Sequence, residues 1–164
     1  MNIITTQNLI IREFTIDDYP QYYQNNNDEQ IKKYMPNHSP NDENDARKEI
    51  EGFLSDYKNR KLEWHYAVVK DGLLIGHVGI GECEVSGIND AYELCCGINK
   101  DYRGYGYAAE ATKAFAQWCK SEFNLNKVYA STDKENIASN KVLLKAGFIL
   151  TDIKYKELNV YIFE

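Results

Sequence analysis

Two glycines one residue apart, Gly104 and Gly106, stand in "INKDYRGYGYAAEA", between an apolar run and a segment of helical spacing. A helix N-terminus exposes unpaired backbone N–H groups and the positive end of the helix dipole, and glycine lets a ligand approach that backbone closely. The chemistry such a loop offers is anion binding, usually of phosphate. Further along, Asn136 opens the helical stretch "NIASNKVLLKAGF", which carries Ser139 in its first turn, and Glu82 and Glu84 share a strand face by two-residue alternation. The four cysteines, Cys83, Cys95, Cys96 and Cys119, form no CxxC pair and have no metal-ligand spacing to His38, His65 and His77. They read as structural thiols in a reducing compartment, and no metal is expected.

Three designs put a glycine loop against phosphate. The P-loop is excluded because no Gly-Lys-Ser/Thr follows. A dinucleotide fingerprint fits the looser GxGxxG/A form through Gly104, Gly106 and Ala109, with Asp133 as a ribose partner. Its position argues against it: that fingerprint opens a parallel sheet, whereas here a helical region and an antiparallel meander come first. There is also no room for a substrate domain.

The elements that must position the loop follow from periodicity. A strand at 9–14 leads into "TIDDYPQYYQ", where Thr15 and Asp18 have capping-box spacing, and "DEQIKKYM" allows a second short helix. "NDENDARKEIEGFLSDYKNR" places Ala46, Ile50, Phe53, Leu54 and Tyr57 on one helical face. "EWHYAVVK" and "LLIGHVGIGECEV" form a hairpin about "KDG", and "AYELCCGI" follows the loop "SGIND" as another strand. After the glycine loop, Ala108, Ala111, Phe115, Trp118 and Cys119 recur at helical spacing, "KVYAST" is a strand, and the helix from Asn136 ends at Gly147. Two closing strands occupy "ILTDIKYKELNVYIFE" around a Lys-rich turn. The whole, 1–164, reads as one domain, since 164 residues with 43% apolar content fill a single core. A net charge of -6 without a basic stripe excludes nucleic acid as the expected partner and mildly favours a cationic one. No leader and no bilayer-spanning run is apparent, so a cytoplasmic protein with no membrane partner is expected.

"YRGYGYAAEA" contains RxxGxA as Arg103, Gly106 and Ala108, and resembles the pyrophosphate-binding loop of the GNAT superfamily of N-acetyltransferases. "YELCCGI" before it and "NIASNKVLLKAGF" after it are similar to that family's cleft strand and Asn-x-x-Ser helix, and "NLIIREFTIDDYPQYYQNNND" resembles its RimJ/RimL-like branch. The resemblance implies an α+β fold: a mixed, largely antiparallel sheet splayed between its fourth and fifth strands and flanked by helices. It also implies an acetyl-coenzyme A-dependent N-acetyltransferase, monomeric or homodimeric, that acetylates a primary amine acceptor by direct attack in a ternary complex.

Carried over residue by residue, the resemblance has the backbone of Cys96, Gly97 and Ile98 pairing with the pantetheine arm. The amides of Gly104, Tyr105, Gly106, Tyr107, Ala108 and Ala109 cradle the pyrophosphate, Tyr105 and Tyr107 point away, Arg103 adds a charge, and Asn136 positions coenzyme A. A backbone N–H near Cys96 matches the oxyanion. Many relatives protonate the departing thiolate with a tyrosine four residues beyond the serine; here that position is Leu143, which leaves Ser139 as the acid. Glu93 is the favoured base, directly or through water, with Glu82 second and His65 and His77 open. Tyr22, Tyr23, Tyr34 and Trp64, with the loop around Met35 and His38, are candidates to line the acceptor pocket, although aromatics at such spacing are more often core. The missing tyrosine also leaves room for a non-catalytic acyl-coenzyme A sensor or interaction module.

Overall fold

A computed structural model describes residues 2–59, 64–85, 88 and 91–164. Eight strands form one sheet in the order β1-β2-β3-β4-β5-β6-β8-β7. They are β1 (Asn2–Thr5), β2 (Ile10–Arg12), β3 (Trp64–Lys70), β4 (Leu73–Glu82), β5 (Tyr92–Ile98), β6 (Val128–Asp133), β7 (Ile149–Leu150) and β8 (Leu158–Phe163). The helices are α1 (Tyr19–Asn26), α2 (Glu29–Tyr34), α3 (Glu43–Asn59), α4 (Tyr107–Glu122) and α5 (Ile137–Lys145). Most of the expected loop at 86–90, and the expected helix end and strand start at 60–63, lie outside the described residues.

Every described strand pair is antiparallel except β5 with β6, and that parallel pair meets at one position, Glu93 opposite Tyr129. Beyond it the two strands part. The opening thus lies between the two strands expected to flank it, "YELCCGI" and "KVYAST"; they count as fifth and sixth rather than fourth and fifth because β1, four residues at an edge, is too short to show an alternation. The rest of the mixed, largely antiparallel sheet and its flanking helices are as expected.

Alternation sorts the strands' side chains into two layers. Tyr66 and Val68 of β3, Val78 and Ile80 of β4 and Leu94 of β5 pack with Ala111, Phe115, Ala116 and Cys119 of α4 in the larger core. On the other face, Ala67 and Val69 join Phe14, Tyr22 of α1 and Ala46 and Ile50 of α3. The capping box at Thr15 is present, with Asp18 reaching back to the Thr15 N–H at 2.7 Å and gripped by Arg12 at 2.7 and 2.8 Å. α4 is fixed at its first turn by Glu110, which accepts from Thr6 Oγ1 at 2.6 Å and Asn8 Nδ2 at 2.9 Å. The glycine loop therefore ends on a helix tied to the chain's N-terminal segment.

Candidate active site

A cleft of about 750 Å³ follows the opening of the sheet, a size suited to a small-molecule ligand. Leu94, Cys95, Cys96, Gly97 and Ile98 of β5 form one wall, and Ala130, Ser131, Thr132 and Asp133 of β6 the other. β5 is fully paired to β4, from Glu82–Tyr92 to Gly76–Ile98, but past Glu93 it has no partner strand on its other side among the described residues. That edge presents main-chain donors and acceptors, which an extended ligand can pair with as another strand would. The Ile98 carbonyl already accepts from Arg103 Nε at 2.8 Å.

At the strand's C-terminal end the chain makes a one-turn 3-10 helix, Lys100–Tyr102, capped by Asn99, and then enters the glycine loop. Gly104 (φ 87) and Gly106 (φ 90) both lie in the left-handed region, and Gly106 is the N-cap of α4. A Cβ at either position would meet nothing within 4 Å, so it is the backbone angle that demands glycine there, not crowding. Tyr105 is 71% exposed and turned outward, whereas Tyr107, also expected to point away, stacks on it at 5.8 Å and borders the cleft with Ala108 and Ala109.

Arg103 borders the cleft and is also engaged within the protein. Its guanidinium holds Asp28, the N-cap of α2, at 2.6 Å and Gln30 at 3.0 Å. Burial alone would raise the Asp28 carboxyl, but hydrogen bonds from Arg103 and from the Ile31 and Gln30 N–H groups hold it below its ordinary value. The arginine's charge goes into tying α2 to the loop.

α5 begins beside β6. Asn136 caps it, accepting from the Ser139 N–H at 3.2 Å, and both residues line the cleft. Leu143, at the position where many relatives carry tyrosine, is 6% exposed and packs in the larger core. Glu93 also borders the cleft and accepts a hydrogen bond from Ser131 Oγ across the strand opening. Glu82 pairs with Tyr92, so alternation turns it to the sheet face opposite Glu93.

The expected aromatic acceptor pocket is divided by the fold. Tyr34, Met35 and His38 line the cleft. Tyr22 does not: at 1% exposed it packs edge-on against Phe14 and Phe53, with its hydroxyl on Glu49. Tyr23 packs against the same cluster, and Trp64 sits in the larger core against Phe123. A tyrosine or tryptophan has the same identity in a core as in a pocket, and only the fold separates the two uses.

Spacing along the chain gave no sign of what happens to the histidines. His38, His65 and His77 gather on the α1/α3 face with ring centroids 4.9, 5.4 and 6.3 Å apart, and His65 stacks on Phe53 at 4.6 Å. Burial drives all three toward the neutral form, His65 down to about 3. Burial likewise pushes the Cys95 thiol up to about 12 and the Cys96 thiol up to about 11. Neither thiol has the lowered pKa of an activated nucleophile. Alternation of β3, β4 and β5 could have revealed the cluster, but only once their register was known.

A sheet opened beside a glycine-headed helix puts an unpaired strand edge and a helix N-terminus on one cleft, an arrangement suited to a long, phosphate-bearing ligand. Residues 8–149 match the family model described as Acetyltransferase (GNAT) domain, and the chain belongs to that family of acetyl-coenzyme A-dependent acetyltransferases. Among curated proteins it is 32% identical over 149 residues to the uncharacterized N-acetyltransferase YnaD of Bacillus subtilis (strain 168), covering 88% of this chain and 81% of that one. Solved structures of similar fold include a GNAT-family acetyltransferase from Bacillus anthracis (22% identity, TM-score 0.80, 98% and 96% of the two chains). They also include RimL, a ribosomal L7/L12 alpha-N-protein acetyltransferase in complex with coenzyme A (16% identity, TM-score 0.81, 99% and 97%). RimL belongs to the branch that the sequence resembles.

Proposed function

We propose that the protein transfers the acetyl group of acetyl-coenzyme A to a primary amine by direct attack in a ternary complex. The observation that carries this reading is the unpaired edge of β5 beyond Glu93, which runs toward two glycines of positive φ at the head of α4. The pantetheine arm pairs with the backbone of Cys96 and Gly97, and the amides of residues 104–109 hold the pyrophosphate. Asn136 and Ser139, at the start of α5, face the same ligand from the β6 side.

Glu93 takes the proton from the attacking amine, with Glu82 the weaker candidate because it alternates to the other face. A backbone N–H near Cys96 meets the tetrahedral oxyanion without reorganising. The oxyanion then collapses to the amide as the C–S bond breaks, the Ser139 hydroxyl protonates the thiolate so that coenzyme A leaves as a thiol, and solvent reprotonates Ser139 as Glu93 releases its proton. The high thiol pKa values of Cys95 and Cys96 argue against an acetyl-cysteine intermediate and favour attack by the amine itself. The acceptor is a protein N-terminus, as for RimL, or a small amine, and Glu82, Glu84 and Glu93 around the cleft suit a cationic one.

Initial rates of thiol release with acetyl-coenzyme A and a panel of primary amines and peptide N-termini test this. Intersecting double-reciprocal lines and an N-acetyl product are expected. Parallel lines with an acetylated enzyme, or turnover confined to hydroxyl acceptors, would overturn the proposal.

A further inference from the structure

His38, His65 and Cys95 come from three elements, the 3-10 turn Pro36–His38, β3 and β5, and meet at one point. One ligand atom from each lies within 4.8 Å of the other two, and His65 Nε2 stands 3.8 Å from Cys95 Sγ. Strand register explains the encounter. His65 is opposite Gly79 of β4, and Gly79 is opposite Cys95 of β5, so the three form a row across one face of the sheet. A Cβ on Gly79 would lie 2.6 Å from His65 Nε2 and 3.0 Å from Cys95 Sγ. The missing side chain is what lets imidazole and thiol share that space.

The hydrogen bonding around this row is incomplete. His65 Nδ1 is buried without a partner, and so are both ring nitrogens of the neighbouring His77. The sole polar contact of the His65 ring among the described residues is the long one to sulfur. Two imidazole nitrogens and a sulfur are the donors that a borderline-soft cation selects over magnesium or calcium.

We propose that His38, His65 and Cys95 form a three-ligand site for a zinc-type divalent transition metal ion on the α1/α3 face of the sheet. All three residues border the cleft, so the fourth coordination position opens into it, as in zinc sites that keep one place for water or substrate. Tetrahedral zinc with Zn–N of about 2.0 Å and Zn–S of about 2.3 Å sets nitrogen and sulfur about 3.5 Å apart. The His65–Cys95 pair is already near that spacing, and His38, at the end of a three-residue turn, closes the remainder. On binding, the Cys95 thiol proton goes to solvent and the imidazoles coordinate in their neutral form.

Cobalt(II) titrated into the reduced full-length chain is the test, read by absorption. The expected result is a thiolate-to-cobalt charge-transfer band with tetrahedral d–d bands, complete at one equivalent and bleached by zinc. Cys95→Ser removes the charge-transfer band, whereas Cys83→Ser keeps it. His38→Ala, at a half-buried turn outside the α-helices and strands, weakens cobalt binding by about 10-fold or more, with circular dichroism and the thermal midpoint confirming that the fold is kept. Gly79→Ala fills the space between the ligands and weakens it too, without removing a donor. No charge-transfer band, a band that survives Cys95→Ser, or unchanged affinity in His38→Ala would each overturn the site.

Discussion

The wall of the cleft that runs through Gly104 and Gly106 is built of main chain, whereas the wall beneath α1 and α3 is built of side chains from three separate segments. In the first, two positive φ angles and the end of α4 arrange a row of N–H groups, and side-chain identity counts for little. In the second, the distinctive atoms are imidazoles, a thiol and a carboxylate, placed by strand register and by one short turn. A cosubstrate with an invariant phosphate can rely on backbone. An acceptor that differs from one relative to another requires side chains that can be exchanged.

The largest expected effect is on the side-chain wall. Glu93→Gln should lower kcat by about 100-fold or more while leaving the KM for acetyl-coenzyme A nearly unchanged. Steady-state kinetics across pH check this, and an unaltered rate and pH profile would move the base elsewhere. On the main-chain wall the pattern should invert. Gly106→Val forces a β-branched residue to a φ of 90°, at a cost of about 1–3 kcal/mol, and should weaken acetyl-coenzyme A binding by about 10- to 100-fold. Calorimetry with acetyl-coenzyme A measures it, and a change confined to kcat would break the division between the walls.

The smallest effect concerns the tie between the two walls, Arg103 to Asp28. Asp28→Asn should lower the thermal midpoint at neutral pH by about 1–4 °C, from about 0.5–1 kcal/mol for a partly exposed pair. Because the folded-state carboxyl is held below its ordinary value, the tie's contribution is fully present above the unfolded pKa of about 4 and is lost as pH falls through the lower folded pKa. The melting curves of the two proteins should therefore converge as pH drops from 5 toward 3. A gap that persists, or widens, in acid would show that the tie is not electrostatic.

The contrast between the walls also accounts for what could be read from sequence. The glycine loop, the capped α5 and the hairpin strands were legible because each requirement is local: a positive φ, a capping side chain, an alternation. β1 was too short to show a period. The pairing of Arg103 with Asp28 was not legible because the two lie 75 residues apart and Asp28 belongs to a helix cap with its own local reason to exist. Tyr22 and Trp64 were legible as aromatics at spacings that suit a core or a pocket, core the commoner use, and the fold puts both in core. The histidine group was invisible because His65 and Cys95 are 30 residues apart and meet only through Gly79, whose contribution is an absence.

Among these side chains Glu93 has a distinct support. The carboxylate expected to move the proton belongs to the one residue where β5 and β6 are still paired, with Ser131 bound to it across the gap. It stands at the vertex of the wedge, where the backbone is held from both sides, and every step along β5 away from it gains freedom on one edge. Whatever breathing the cleft undergoes to admit its ligands should pivot about this residue and displace it least, so that proton transfer takes its positional precision from the sheet itself and not from a loop.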